Sequence, residues 1–175
     1  RGTKLTQRTD IPQWYLALST WFLAWDGGTA CDFDDGKGFS EKQFIEYLEK
    51  NFGGENVALH VYGWHKHQMD TGDGEYFPPV FGEGFFRNQI KTLQQHNLKV
   101  VPYINVRLVD PVIPYYREGG SREAAKMENG EPYPYPARAK LVWMCMGAQG
   151  WRNKVVEICR ELAGYGVDGI YLDML

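Results

Sequence analysis

The stretch Val167-Asp168-Gly169-Ile170-Tyr171-Leu172-Asp173-Met174 decides the reading of the fold. It alternates with period two, so Gly169, Tyr171 and Asp173 fall on one face and Ile170 and Leu172 on the other. A phenol and a carboxylate therefore share a surface opposite two aliphatic side chains. In a parallel β/α protein the carboxyl end of a strand faces the side on which active sites are built, which places Asp173 at a prospective pocket.

Working back from this strand, the chain repeats one unit. An extended apolar segment from Leu18 to Trp25 ends in Asp26-Gly27-Gly28. Ser40-Glu41-Lys42-Gln43 reads as a capping box for a helix with Phe44, Ile45, Leu48 and Phe52 at helical spacing, stopped by Gly53-Gly54. A second strand, Val57 to Trp64, precedes a long loop and a helix from Phe85 to His96, whose buried stripe is Phe86, Ile90 and Leu93 and whose stop is Asn97. The third strand, Lys99 to Asn105, leads into a loop rich in Pro, Gly and Tyr that ends near Lys140, and Leu141 to Met146 reads as a short extended piece. A third helix, Gln149 to Gly164, carries Trp151, Val155, Ile158, Cys159 and Leu162 on one side. The order βαβαβαβ predicts a parallel sheet with right-handed crossovers in one domain over 1–175, with 1–10 a polar N-terminal extension. The long insertions follow strands while the helix-to-strand connections are short, the asymmetry expected when a pocket is built at one end of a sheet.

Composition narrows the partners. With 43% hydrophobic and 23% charged residues the chain can bury a core, and a net charge of -3 without a Lys/Arg block leaves no electrostatic footprint for nucleic acid. No apolar run approaches the roughly 18 residues of a membrane-spanning helix, so a membrane is not an expected partner. Cys31, Cys145 and Cys159 form no CxxC pair. Aromatic residues reach 15%, six of them Trp, more than core packing asks for and suited to stacking against a ligand. No GxGxxG, Walker loop or GxSxG occurs, which removes the motifs of dinucleotide, NTPase and serine-hydrolase chemistry.

Each strand offers polar or aromatic side chains near its carboxyl end. Strand three alternates Tyr103, Asn105 and Arg107 with Pro102, Ile104 and Val106; the apolar face meets helices, so the polar face points inward as a hydrogen-bonded network or a ligand site. Strand two alternates His60, Tyr62 and Trp64 with Leu59, Val61 and Gly63, with Trp64 read as a stacking platform and His60 deeper on the same side. His65 and His67 have a spacing that can ligate one metal ion, yet no further ligand is evident and no metal is assigned. Trp25 and Asp26 close strand one, where Asp26 is either an acceptor for sugar hydroxyls or a turn residue. Asp32, Asp34 and Asp35 lack the spacing and final Glu of a calcium loop. A carboxylate at position 173 can attack an anomeric carbon if a second carboxyl group serves as acid/base; Asp26, Asp70 and Asp110 follow earlier strands and are the available partners.

The ordered set Tyr62-Gly63-Trp64-His65, Tyr76-Phe77-Pro78, Pro102-Tyr103-Ile104-Asn105, Trp151-Arg152 and Gly166 to Asp173 resembles glycoside-hydrolase TIM barrels, in particular a poorly characterised family akin to the α-galactosidase clan. The resemblance runs from about residue 11 to the end. It implies the first half of a (β/α)8 barrel with four parallel strands, a carbohydrate substrate, no organic cofactor, and Asp173 as the strand-four nucleophile. The clan's acid/base stands on strand six, which has no counterpart here, and a whole barrel takes about 250 residues. The sequence therefore reads as truncated after strand four, and this chain alone is expected to be inactive.

The site expected from sequence is thus Asp173 with Trp25, Asp26, His60, Trp64, His65, Tyr103, Asn105, Arg107 and Tyr171 around it. Two alternatives remain at this level: a non-catalytic carbohydrate-binding barrel using the same aromatics, and a metal-dependent hydrolase using His65 and His67. Four strands without a closing half leave two open edges and an uncovered inner face, so association with a missing barrel half or with another copy is expected.

Overall fold

A computed structural model describes residues 4, 7–25, 40–52, 56–67, 71–136 and 140–175. A short helix α1 (Gln13–Leu16) precedes β1 (Thr20–Trp25), followed by α2 (Glu41–Phe52), β2 (Val57–Tyr62), α3 (Glu83–Gln95) and β3 (Lys99–Asn105). The insertion after β3 holds β4 (Leu108–Val109), α4 (Pro114–Arg117), a 3-10 turn and β5 (Val142–Trp143); α5 (Gln149–Gly164) and β6 (Tyr171–Asp173) follow. Four strands form one parallel sheet in the order β1-β2-β3-β6, with helices between them. This is the curled amino-terminal half of a (β/α)8 barrel.

Local signals account for the helices. The Ser40 carbonyl accepts the Phe44 N–H at 3.1 Å and its Oγ the Gln43 N–H at 3.4 Å, capping α2. The glycines proposed as its stop, Gly53 and Gly54, lie outside the described residues. Asn97 ends α3 in the left-handed region (φ 61), as its short amide side chain tolerates, and the Leu98 N–H returns to the Leu93 carbonyl at 3.2 Å. Phe44 and Leu48 of α2, Phe86, Ile90 and Leu93 of α3, and Ile158 and Leu162 of α5 pack on Leu59, Val61, Val100 and Ile104 of the sheet. These are the stripes that periodicity marks.

Two differences from the sequence reading have physical causes. The last strand pairs over Tyr171–Asp173 alone. Upstream, the Asp168 carboxylate takes the Val100 N–H at 3.0 Å and also accepts from Lys99 Nζ (3.1 Å) and Gln94 Nε2 (2.9 Å), so a side chain occupies the backbone donor a longer ladder would use. The segment read as a Pro-, Gly- and Tyr-rich loop contains β4, which pairs antiparallel with β5 in the stretch read as extended, and it shares a small core of Val109, Ile113, Tyr116 and Ala124 with Val142, Met144 and Trp151. Short strands of two residues carry no periodic signal.

The inner face is open. Trp21 and Leu23 of β1 are 46% and 64% exposed, Tyr171 is also exposed, and a cavity of about 750 Å³ lies between Trp14, Tyr15, Trp21, His60 and Tyr171. Expressed alone, residues 1–175 are expected to self-associate through this face, since contiguous exposed apolar surface favours association. A single monomeric species in sedimentation, with a cooperative melt, is the result that sinks this expectation. Among the described residues no helix is long and apolar enough to cross a membrane.

Candidate functional site

The parallel register brings the ends of three strands together. Tyr103 pairs with Tyr171 and Asn105 with Asp173, and β3 lies beside β2, whose Leu59 and His60 pair with Val100 and Val101. Alternation then sets His60, Tyr103, Asn105, Tyr171 and Asp173 on the inner face. The Tyr103 hydroxyl donates to Asp173 Oδ2 at 2.9 Å, and Asn105 Nδ2 donates to the Tyr103 oxygen at 3.3 Å. His60 stacks on Tyr171 (centroids 4.3 Å apart, 30°), and Tyr62 on Tyr103 (4.2 Å, 20°). Five of the residues singled out in sequence thus form one hydrogen-bonded and aromatic cluster, joined by Tyr62.

The electrostatics follow from burial. Desolvation pushes the Tyr103 phenol well above its ordinary pKa; donation from Asn105 opposes this and the bond to Asp173 adds to it, so Tyr103 is a persistent proton donor. Burial lowers the pKa of His60, against the raising effect of the Asp173 carboxylate. His60 Nε2 is buried without a hydrogen-bond partner among the described residues.

Other expected residues lie elsewhere. Trp64, in phase with His60 and Tyr62 by count, is fully buried on the helix side, stacked on Phe86 (5.4 Å, 13°) with its indole N–H donating to the Tyr103 carbonyl at 2.8 Å. The cause is Gly63, whose φ of 61 uses the left-handed backbone open to glycine and breaks the alternation. Trp64 is therefore a core residue in this fold and not an open stacking platform. Arg107 is exposed with its guanidinium over Trp143 at 4.9 Å, because the strand ends at Asn105 and Arg107 no longer follows the inward phase. The backbone of Trp25 ends β1 opposite Tyr62; its side chain, and the whole of Asp26 and Asp70, lie outside the described residues. Asp110 is committed to loop structure, accepting the Gly72 N–H (2.8 Å) and the Val112 N–H (3.0 Å).

His65 is buried against Tyr76 in edge-to-face contact (5.1 Å), with Nδ1 unpartnered among the described residues. No group of three or more His, Cys, Asp or Glu suited to a metal occurs among the described residues. Burial, and secondarily His67, pushes the His65 pKa down to about 4 from 6.5. The fold holds it neutral, so its contribution is complete above pH 6.5 and is lost as the pH falls from there towards 4, by about 3 kcal/mol. In urea titrations at pH 7 and pH 4.5, His65→Phe is expected to lose clearly less stability on acidification than the wild type. An equal loss in both proteins is the contrary result.

Sequence reasoning passed over Asp73, and took Tyr76 only as part of a resemblance. Both are buried. The Tyr76 hydroxyl accepts the Asn105 N–H at 2.8 Å and shares its proton between Asp73 Oδ1 (3.0 Å) and the Asn105 carbonyl (3.1 Å). An aromatic three residues after an Asp in a Gly-rich loop was the available signal, a weak one.

Comparison with known proteins bears on the fold and the family. A Bacteroides thetaiotaomicron protein named "Putative glycoside hydrolase" is 31% identical over 180 residues, covering 99% of this chain and 24% of that protein. A Monosiga brevicollis protein of like name is 24% identical over 196 residues, covering 98% of the chain and 16% of that protein. The chain thus spans a quarter or less of the curated relatives it matches. Among solved structures, an α-N-acetylgalactosaminidase from Bifidobacterium bifidum superposes with a TM-score of 0.69 at 18% identity, over 92% of this chain and 29% of that one. An α-galactosidase from Thermus thermophilus gives 0.60 at 14% identity, over 89% and 31%. At these identities the likeness is one of fold. The sequence model of the family described as Domain of unknown function (DUF6259) matches residues 3–175, and the chain belongs to that family.

Proposed function

We propose that this chain carries the nucleophile of a retaining glycoside hydrolase, and that Asp173 is that nucleophile. The observation behind the reading is the Asp173 carboxylate at the carboxyl end of the fourth parallel strand, held through Oδ2 by Tyr103 on an inner face rich in aromatic rings. Oδ1 attacks the anomeric carbon as the glycosidic C–O bond breaks, and the leaving oxygen takes a proton from a second carboxylic acid roughly 5 Å away. Water then attacks the glycosyl–Asp173 ester, passing its proton to that second carboxylate and freeing Asp173. The acid/base belongs to the rest of the full-length protein, and the activity belongs to that whole. Tyr103 holds the nucleophile by donating to it, and the exposed rings of Tyr171 and Trp21, which line the inner cavity, offer apolar faces to a sugar.

The test is turnover by the full-length protein on a panel of nitrophenyl glycosides, beginning with α-galactoside and α-N-acetylgalactosaminide, the sugars named for the similar folds. Proton NMR of the first-formed sugar is expected to show the anomer of the substrate. Release of the opposite anomer overturns the nucleophile role. Saccharide binding by calorimetry without any turnover supports the binding-domain reading instead.

A further inference from the structure

We propose that Asn105 is a positioning residue that sets the direction of the Tyr103–Asp173 hydrogen bond and so leaves Oδ1 as the attacking oxygen; this rests on the nucleophile reading of Asp173. Asn105 is 5% exposed at the last position of β3. Its Oδ1 accepts two backbone N–H groups, from Arg107 at 3.0 Å and Leu108 at 2.9 Å. An amide turned the other way would set its NH₂ against two donors, so the network allows one orientation.

The consequence passes outward by elimination. Nδ2 has only protons to give, and its neighbours are the Tyr103 oxygen and Met174 Sδ, each at 3.3 Å. The phenolic oxygen accepts there and must send its single proton to Asp173 Oδ2, 2.9 Å away. A reversed bond, from a protonated Asp173 to the phenol, would leave the Tyr103 proton facing the Asn105 amide protons. The phenol-to-carboxylate direction occupies Oδ2 and leaves the attack to Oδ1. Behind Asn105, the Tyr76 hydroxyl, itself bonded to Asp73, holds its backbone N–H and carbonyl, so the amide sits on an anchored frame.

The decisive variant is Asn105→Asp in the full-length protein, which keeps the Oδ1 cap and removes the donor. It is expected to lower kcat about tenfold to a hundredfold, with KM moved far less, since a hydrogen bond aimed at a charged group is lost. In a Tyr103→Phe background the same change is expected to add nothing, because there is no phenol left to orient; a separate structural effect would persist there. An undiminished effect of Asn105→Asp in that background overturns the proposal. If Asp is not tolerated at this buried position, Asn105→Ser, too short to reach the phenol, is read by the same cycle. A second readout does not depend on turnover. In protein labelled at tyrosine ¹³Cζ, the Tyr103 resonance, assigned by its loss in Tyr103→Phe, is expected to move in both Asp173→Asn and Asn105→Asp. A resonance unmoved by Asn105→Asp overturns the proposal, while absence of turnover with both shifts present overturns only the hydrolase reading.

Discussion

Asp173→Ala in the full-length protein is expected to lower kcat/KM on its best glycoside by at least about 10³-fold, because it removes the atom that forms the covalent intermediate. The fold should survive. The strand contacts of Asp173 are made by its backbone, paired with Asn105 and accepting the Val106 N–H at 3.2 Å, and among the described residues its side chain contributes one hydrogen bond, from Tyr103. Losing that bond costs about 1 kcal/mol, a small change in melting temperature. The space left by the carboxylate admits a small anion, so azide is expected to restore turnover and yield the glycosyl azide of the opposite configuration. Undiminished hydrolysis by the variant places the nucleophile elsewhere.

Trp64→Ala is expected to have the largest effect on stability, about 3–5 kcal/mol in urea unfolding, the usual cost of truncating a fully buried aromatic. The indole lies between Phe86 and Tyr76, and its N–H is the partner of the Tyr103 carbonyl. Its removal opens a void on the helix side and leaves that carbonyl unsatisfied at the residue whose phenol holds Asp173. A loss of saccharide affinity with unchanged stability is the opposite outcome, and it is the one an open stacking platform would produce.

The two substitutions probe features of different legibility. Asp173 stands out in the chain because strand alternation is local, and a carboxylate in phase with Tyr171 is visible without any partner. Trp64 shows the failure of the same rule one strand earlier. The count places it with His60 and Tyr62, but one left-handed glycine moves it to the other face, and a glycine's φ depends on what its neighbours pack against. Arg107 fails likewise, since alternation holds only while the ladder continues and β3 ends at Asn105.

Sequence by itself determined the order of strands and helices, the core stripes of α2, α3 and α5, and the inward phase of His60, Tyr103, Asn105, Tyr171 and Asp173. These are properties of periods of two and 3.6, each contained within a dozen residues. Tertiary structure alone decided the late start of β6 after the Asp168 clasp, the small core beneath the β3 insertion, and the chain of hydrogen bonds from Asp73 through Tyr76, Asn105 and Tyr103 to Asp173. The bonds that join this chain across the sheet link residues 29 and 70 positions apart. No local period encodes such separations; they arise when parallel register brings strand ends together and each buried polar group must find a partner.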